Sequence, residues 1–177
     1  MSPTDPQQAD PQQVDPEKAV LQEFLGYQRA SVLAVLEGLD EQALRAPVLP
    51  SGWTPLGLVE HLGHAERYWF QEVVIGAAEP LPWSDGPPDG EPPLTTSRPA
   101  SVVLGFYRDQ CRISDAVIRA TPLDAAPAGR YPDEPLASQT TDLRRVVLHL
   151  IEETARHAGH LDAARELIDG RTGLGPR

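Results

Sequence analysis

The chain has 177 residues, with 26 acidic against 15 basic side chains and a net charge of −11 at neutral pH. This length suits one domain with its own core, and the negative charge argues against nucleic acid as a partner. The single cysteine, Cys111, excludes an internal disulfide and fits a reducing cytoplasm. There is no basic leader with an apolar run behind it and no apolar run of about 18 residues, so neither secretion nor a membrane span is expected.

Residues 1–14 are rich in Pro, Asp and Gln and predict a flexible N-terminal tail, which leaves 15–177 as the folded domain. Asp15 and Pro16 then form a helix start, with a capping side chain before a proline at the first helical position. Apolar residues recur at steps of three and four and predict a first helix to about Leu39: Val20, Leu21, Phe24, Leu25, Val32, Val35, Leu36 and Leu39. A short turn of helix, Glu41 to Arg45, follows.

A second helix begins with Thr54 as cap and Pro55 at the first helical position, and its apolar positions continue to about Ala77. His61 falls on the apolar, core-facing side of this helix. His64, nearly one turn later, is expected either beside His61 or toward the rim.

Two proline-rich connections separate the remaining helices. The first, Glu79 to Thr96, contains Trp83, which is expected to pack over a pocket mouth or to anchor the connection. A third helix is predicted from Pro99 to Ala120, then the second connection from Thr121 to Gln139. A fourth helix runs from Thr141 to Asp169, where Gly170 provides a left-handed cap. The pattern predicts an all-α protein, a four-helix bundle.

The fourth helix carries a polar stripe of His149, Glu153, His157 and His160, which share one face. Apolar residues flank the stripe, so it points partly into a core, where imidazole and carboxylate groups need partners. Glu153 and His157 are suited to bind a cation, with a third ligand from His61 or His64. The alternative is a set of hydrogen-bonded histidines that bind no metal.

The positions of the two histidine clusters constrain the topology. His61 lies early in the second helix and His157 late in the fourth, so the two meet only if these helices are antiparallel. This requires an up-down-down-up order with a long crossover between the second and third helices. The 18 residues of Glu79 to Thr96 reach about 55 Å when extended, which is enough for that crossover.

Two segments resemble the DinB/YfiT-like superfamily: GWTPLGLVEHL at 52–62 and HLIEETARHAGH at 149–160. The resemblance covers nearly everything after the tail. It implies an up-down-down-up four-helix bundle, commonly a homodimer, that holds a divalent metal with one histidine of the second helix and two ligands of the last.

The last helix of that superfamily commonly carries His-x-x-x-His-x-x-Gln. In this chain Glu153 stands at the position of the first histidine and His160 at the position of the glutamine. A His, Glu, His set is similar to that of the mycothiol-dependent maleylpyruvate isomerases. The resemblance therefore implies His61, Glu153 and His157 as metal ligands, with His160 as a fourth ligand or as a base beside the metal.

Two histidines and one carboxylate leave coordination positions open, which is typical of catalytic metal sites. Zinc is the expected metal, with nickel, manganese and iron(II) as alternatives. The resemblance favours a thiol-dependent S-transferase or isomerase that uses a small thiol of the mycothiol or bacillithiol type, with His160 and His64 as candidates for proton transfer.

Two other functional classes stay open: a metal-dependent hydrolase, and a non-catalytic stress-response protein that binds a metal or small ligand. Cys111 lies in an amphipathic run, where packing is favoured over catalysis.

Overall fold

The computed structural model describes residues 15–77, 83 and 93–173. The helices of these residues are α1 (Pro16–Leu36), α2 (Glu41–Leu44), α3 (Pro55–Arg67), α4 (Ala100–Ala120), α5 (Leu136–Gln139) and α6 (Leu143–Asp169), and a π-helical segment, Tyr68–Val74, continues α3. The described ranges contain no strand, which confirms the all-α prediction. The predicted tail lies outside the described residues, as does most of the predicted crossover.

Helix starts and stops follow the capping chemistry of the sequence. The Asp15 carboxylate accepts hydrogen bonds from the backbone N–H of Glu17 and Lys18, at 3.0 and 3.3 Å, and the Thr54 hydroxyl accepts one from Gly57 at 3.1 Å. Gly170 ends α6 with a φ of 77°. These three signals are confirmed, whereas α1 ends at Leu36, before the predicted Leu39, because the chain turns through Gly38 at a φ of 79°.

The second predicted helix is α-helical as far as Arg67 and continues as the π-helical segment to Val74, three residues before the predicted end at about Ala77. The wider π turn that follows is a rare geometry that occurs frequently at functional sites.

The π-helical segment also holds the connection between α4 and α6. Its last carbonyls, those of Val73 and Val74, accept hydrogen bonds from the backbone of Gly129 and Ala128 at 2.9 and 3.0 Å. A Cβ at Gly129 would lie 2.2 Å from the Glu72 carbonyl oxygen, so this close approach requires glycine. The connection between α4 and α6 is thereby attached to the π-helical segment.

Contacts at both ends show that α1 and α6 run in the same direction. At their beginnings Arg144 donates to the Glu17 carboxylate at 2.5 Å, and at their ends Arg165 donates to the Glu37 carbonyl at 2.9 Å. The Lys18 ammonium, at the start of α1, donates to the Thr121 carbonyl just after α4 at 2.8 Å, so α4 runs the opposite way.

The segment α3 runs antiparallel to α6 and parallel to α4. Trp53, before α3, lies near His160 late in α6, with 6.2 Å between the ring centroids, and Trp69 lies near His149 early in α6 at 4.5 Å. Beside α4, Arg98 donates to Glu60 at 3.0 Å, and further along Gln71 donates to Gln110 at 2.6 Å. These directions place the early part of α3 opposite the late part of α6, as the predicted metal site requires.

Two clusters of buried apolar side chains lie along these helices. The first includes Val32 and Leu62, and the second includes Leu25 and Phe70. Between them along α1 and α3 lies a buried ion pair, in which Arg29 donates two hydrogen bonds to Glu66 at 2.7 and 2.6 Å.

Two members of the predicted apolar face of α1 are at the surface, because Val20 and Phe24 are 51% and 53% exposed. Within the described part of the chain, no helix combines the length and apolarity needed to cross a membrane.

Candidate metal site and substrate cleft

Three side chains converge where α3 faces α6. The Nε2 atom of His157 lies 2.9 Å from Oε1 of Glu153, and Nε2 of His61 lies 3.5 Å from the same oxygen. One nitrogen or oxygen from each residue falls within 4.8 Å of the others. Ligand atoms that lie about 2.0–2.2 Å from a common ion are about 3–3.5 Å from one another. A small movement of these side chains would therefore bring all three atoms within binding distance of one divalent cation. The donor set fits such a cation without selecting which one.

The three residues are partly shielded from water. Their side chains are 26% (His61), 25% (Glu153) and 12% (His157) exposed. Hydrogen bonding to His157, and then to His61, holds the pKa of the Glu153 carboxyl well below its usual range. Glu153 is therefore an anion between two imidazole rings, which is the state in which a carboxylate binds a metal.

His160 is exposed and lies next to His157 on α6. Its Nδ1 is 3.3 Å from Nδ1 of His157, the ring nitrogen that faces away from Glu153. A group at this nitrogen fixes the tautomer and the orientation of the His157 ring. The arrangement suits an orienting role for His160, while His61, Glu153 and His157 form the cluster of possible ligands.

His64 is 5% exposed and packs among aromatic rings. The centroid of its ring lies 4.9 Å from that of Phe106 and 6.3 Å from that of Trp83. It lies in the wall of the same cavity as His61 but is not part of the cluster around Glu153.

A cleft of about 900 Å³ opens beside the cluster. It lies against α3, the π-helical segment, α6 and the connection between α4 and α6. Its described lining is His61, His64, Ala65, Arg67, Tyr68, Trp69, Glu72, Trp83, Tyr131, Pro132, Leu136, His149 and Glu153. Trp83 thus lines a pocket, as one of its two sequence interpretations expected, whereas Trp53 is buried in the first core cluster near His160.

Three aromatic side chains, Tyr68, Trp69 and Tyr131, form part of this lining and are called the aromatic wall below. The rings of Trp69 and Tyr131 are stacked, 5.1 Å apart at 5°, and Tyr68 meets Tyr131 edge-on at 5.9 Å. Tyr68 and Trp69 fall within the predicted apolar positions of the second helix, whereas no sequence pattern assigns a role to Tyr131. No periodic signal could have found Tyr131, because it lies on an irregular connection whose position depends on contacts with the π-helical segment.

His149 also lines the cleft, one helical turn before Glu153. Its ring lies 4.5 Å from that of Trp69, and burial lowers its pKa. It is therefore a neutral imidazole near neutral pH. His149 belongs to the polar stripe that the sequence shows on the fourth helix. Helical spacing alone, however, could not show that its ring borders a cavity.

Cys111 lies on α4 and is not among the residues that line the cleft. Burial raises the pKa of its thiol to about 12. The residue therefore packs as a small apolar side chain, as the sequence predicted.

A family model described as mycothiol-S-transferase matches residues 20–170, which is most of the chain. In the same comparisons no curated protein and no solved structure matches the chain.

Proposed function

Because the chain belongs to the mycothiol-S-transferase family, which is part of the DinB/YfiT-like superfamily, we propose that it is a metal-dependent enzyme that joins a low-molecular-weight thiol of the mycothiol or bacillithiol type to an electrophile. One observation carries the proposal beyond the family match: His61, Glu153 and His157 converge at the edge of a cleft of about 900 Å³. A small thiol is the substrate that the family implies. The family resemblance also implies a second activity for the same site, in which a thiol adds to the substrate and an isomerised product is released.

We assign the metal to His61, Glu153 and His157, with zinc as the expected ion and nickel, manganese or iron(II) as alternatives. Two nitrogen ligands and one oxygen ligand suit any of these ions and leave coordination positions open. A divalent metal in this position would lower the pKa of a thiol bound to it, so that the sulfur reacts as a thiolate. Glu153 contributes the negative charge of the site, since its carboxyl is ionised.

His64 and His160 are the two candidates for proton transfer, and their surroundings favour different roles. His64 lines the cleft, where it would meet a substrate proton. His160 touches His157 at 3.3 Å, so we assign it to holding that ring in place.

We further propose that residues 15–177 form one four-helix bundle in the up-down-down-up order, with residues 79–96 as the crossover. The parallel pairs α1 with α6 and α3 with α4, and the antiparallel arrangement of α3 and α6, support this order. A cytoplasmic location stays a prediction from the sequence.

The function is tested by measuring thiol consumption with purified protein, a mycothiol- or bacillithiol-type thiol and a reactive electrophile. We expect the metal-loaded protein to accelerate the reaction and a chelator to remove that acceleration. Glu153→Ala should be inactive, whereas Glu152→Ala should keep its activity, because Glu152 is exposed and pairs with Arg156 at 3.0 Å.

Three results would overturn the proposal. Thiol transfer that persists without metal would separate the activity from His61, Glu153 and His157. Hydrolysis of an ester or amide in the absence of any thiol would instead make the protein a metal-dependent hydrolase. Metal binding with neither activity would favour a non-catalytic binding protein.

A further inference from the structure

The aromatic wall forms a large apolar face in the same cleft as the proposed metal ligands. Tyr68, Trp69 and Tyr131 lie in contact with one another, and all three line the cavity that His61 and Glu153 also line. Leu136 and Pro132 extend the apolar surface from the same connection. Aromatic faces of this kind bind flat apolar groups by stacking and edge-on contacts.

The charges of the cleft make it a poor site for an anion. Among its described lining residues, Arg67 is the one guanidinium, and it donates to the carboxylate of Glu72. The other carboxylate of the lining, Glu153, lies between His61 and His157, with Oε1 3.5 and 2.9 Å from their Nε2 atoms. The whole chain carries a net charge of −11, which also disfavours the approach of anions.

The cleft is large enough for more than a small thiol. Its volume of about 900 Å³ is near the upper end of the range of about 300–1,000 Å³ for sites that hold a drug-sized ligand. A thiol whose sulfur reaches the His61, Glu153 and His157 cluster would therefore leave room beside the aromatic wall for the second substrate.

We propose that the aromatic wall is the acceptor subsite and that the acceptor is an uncharged electrophile with a flat aromatic group. This inference rests on the proposed thiol transfer. With 1-chloro-2,4-dinitrobenzene as the acceptor, the thiol sulfur forms a bond to the ring carbon that carries chlorine. The carbon–chlorine bond breaks, chloride leaves with the bonding electron pair, and the thiol proton passes to solvent. No oxidant or reductant is needed.

Four acceptors separate the effect of the aromatic group from that of charge: 1-chloro-2,4-dinitrobenzene, 4-chloro-3,5-dinitrobenzoate, iodoacetamide and iodoacetate. The measurement is kcat/KM for each with the metal-loaded protein and a mycothiol-type thiol, divided by the uncatalysed rate. The two positive charges of the divalent ion would be matched by the Glu153 carboxylate and the bound thiolate, and Arg67 is matched by Glu72. We therefore expect the neutral member of each pair to be preferred by about fivefold or more.

Tyr131→Leu tests the wall itself, because leucine keeps apolar volume but removes the aromatic face. The ratio of kcat/KM for chlorodinitrobenzene over iodoacetamide should fall about five- to tenfold, and Tyr131→Phe should restore it. Tyr27→Leu is the matched control, since Tyr27 is 44% exposed on α1 and is absent from the cleft lining, and it should leave the ratio unchanged.

Glu72→Gln tests the charge of the cleft. Removal of the carboxylate that accepts from Arg67 should raise the use of the two anionic acceptors several-fold relative to their neutral partners. A wild-type preference for the anionic acceptors, or an unchanged aromatic ratio in Tyr131→Leu, would overturn the inference.

Binding of 1,3-dinitrobenzene, which has no leaving group, separates this inference from the proposed function. Calorimetric titration should detect binding to the wild-type protein that is weakened in Tyr131→Leu and kept in Tyr27→Leu. If this binding is found but no acceptor reacts, the subsite stands and the transferase proposal fails. If acceptors react but neither the ratio nor the binding depends on Tyr131, the transferase proposal stands and the subsite is wrong.

Discussion

At the scale of single residues, Cys111 is the chain's one thiol, and its surroundings oppose catalysis. Burial raises the pKa of Cys111 to about 12, so at pH 8 only roughly one molecule in ten thousand carries the thiolate that reacts. Cys111→Ala should therefore keep thiol-transfer activity within about twofold. The measurement is thiol consumption by the metal-loaded variant beside the wild type.

Iodoacetamide labelling gives an independent check on the same residue. The native protein should be labelled slowly at pH 8 and the denatured protein quickly, as mass spectrometry would show. Rapid labelling of the native protein, or loss of activity in Cys111→Ala, would mean that this thiol takes part in the reaction.

The ligand candidates were predictable from the sequence because helical spacing fixes which residues share a face. Glu153 and His157 are four residues apart, and the structure places their side chains 2.9 Å apart. The contact across the fold, between His61 and Glu153, needed the antiparallel arrangement of α3 and α6 as well as the spacing. The neighbours of His64 could not be predicted, since Phe106 and Trp83 come from segments distant in the chain.

At the scale of elements, Gly57 sets how closely the chain that leads into α4 approaches α3. A Cβ at this position would lie 2.0 Å from the Leu94 carbonyl oxygen and 2.6 Å from the Cα of Thr95. Gly57→Ala should therefore lower the free energy of unfolding by about 1–3 kcal/mol, because backbone has to move. Thermal or urea unfolding measures the change.

Gly26→Ala is the matched control for this prediction. Gly26 lies in the interior of α1, is exposed, and has nothing within 4 Å of the position of an added Cβ. Alanine there should raise the free energy of unfolding by about 0.5–1 kcal/mol. Equal effects at Gly57 and Gly26 would show that the contact with Leu94 does not constrain α3.

The long helices were more predictable than their connections. Capping by Asp15, Thr54 and Gly170 is local chemistry that a sequence carries in full. The π-helical segment is different, because its last carbonyls bond to Ala128 and Gly129 of a distant connection. The same dependence on distant contacts explains why the aromatic wall was not predicted.

At the scale of the whole molecule, we propose that an exposed apolar stripe on α1 forms the interface of the homodimer that the superfamily resemblance implies. Val20 and Phe24 are 51% and 53% exposed and lie one helical turn apart. Phe24→Glu should convert a dimer into a monomer, since a carboxylate buried against a second apolar stripe is unfavourable. Sedimentation analysis measures the mass, with Val102→Glu on α4 as the control for an exposed apolar residue elsewhere. A wild-type monomer, or a Phe24→Glu dimer, would contradict an interface formed by this stripe.

Metal content is the property on which the proposed function depends most directly. Elemental analysis should be made on protein purified without a histidine tag, beside its Glu153→Ala, His157→Ala and Glu152→Ala variants. We expect about one divalent ion per chain in the wild type and in Glu152→Ala, and its loss from the other two variants, because both remove a ligand. A wild-type protein that binds no metal after reconstitution, or a Glu153→Ala variant that keeps it, would contradict a catalytic metal site at His61, Glu153 and His157.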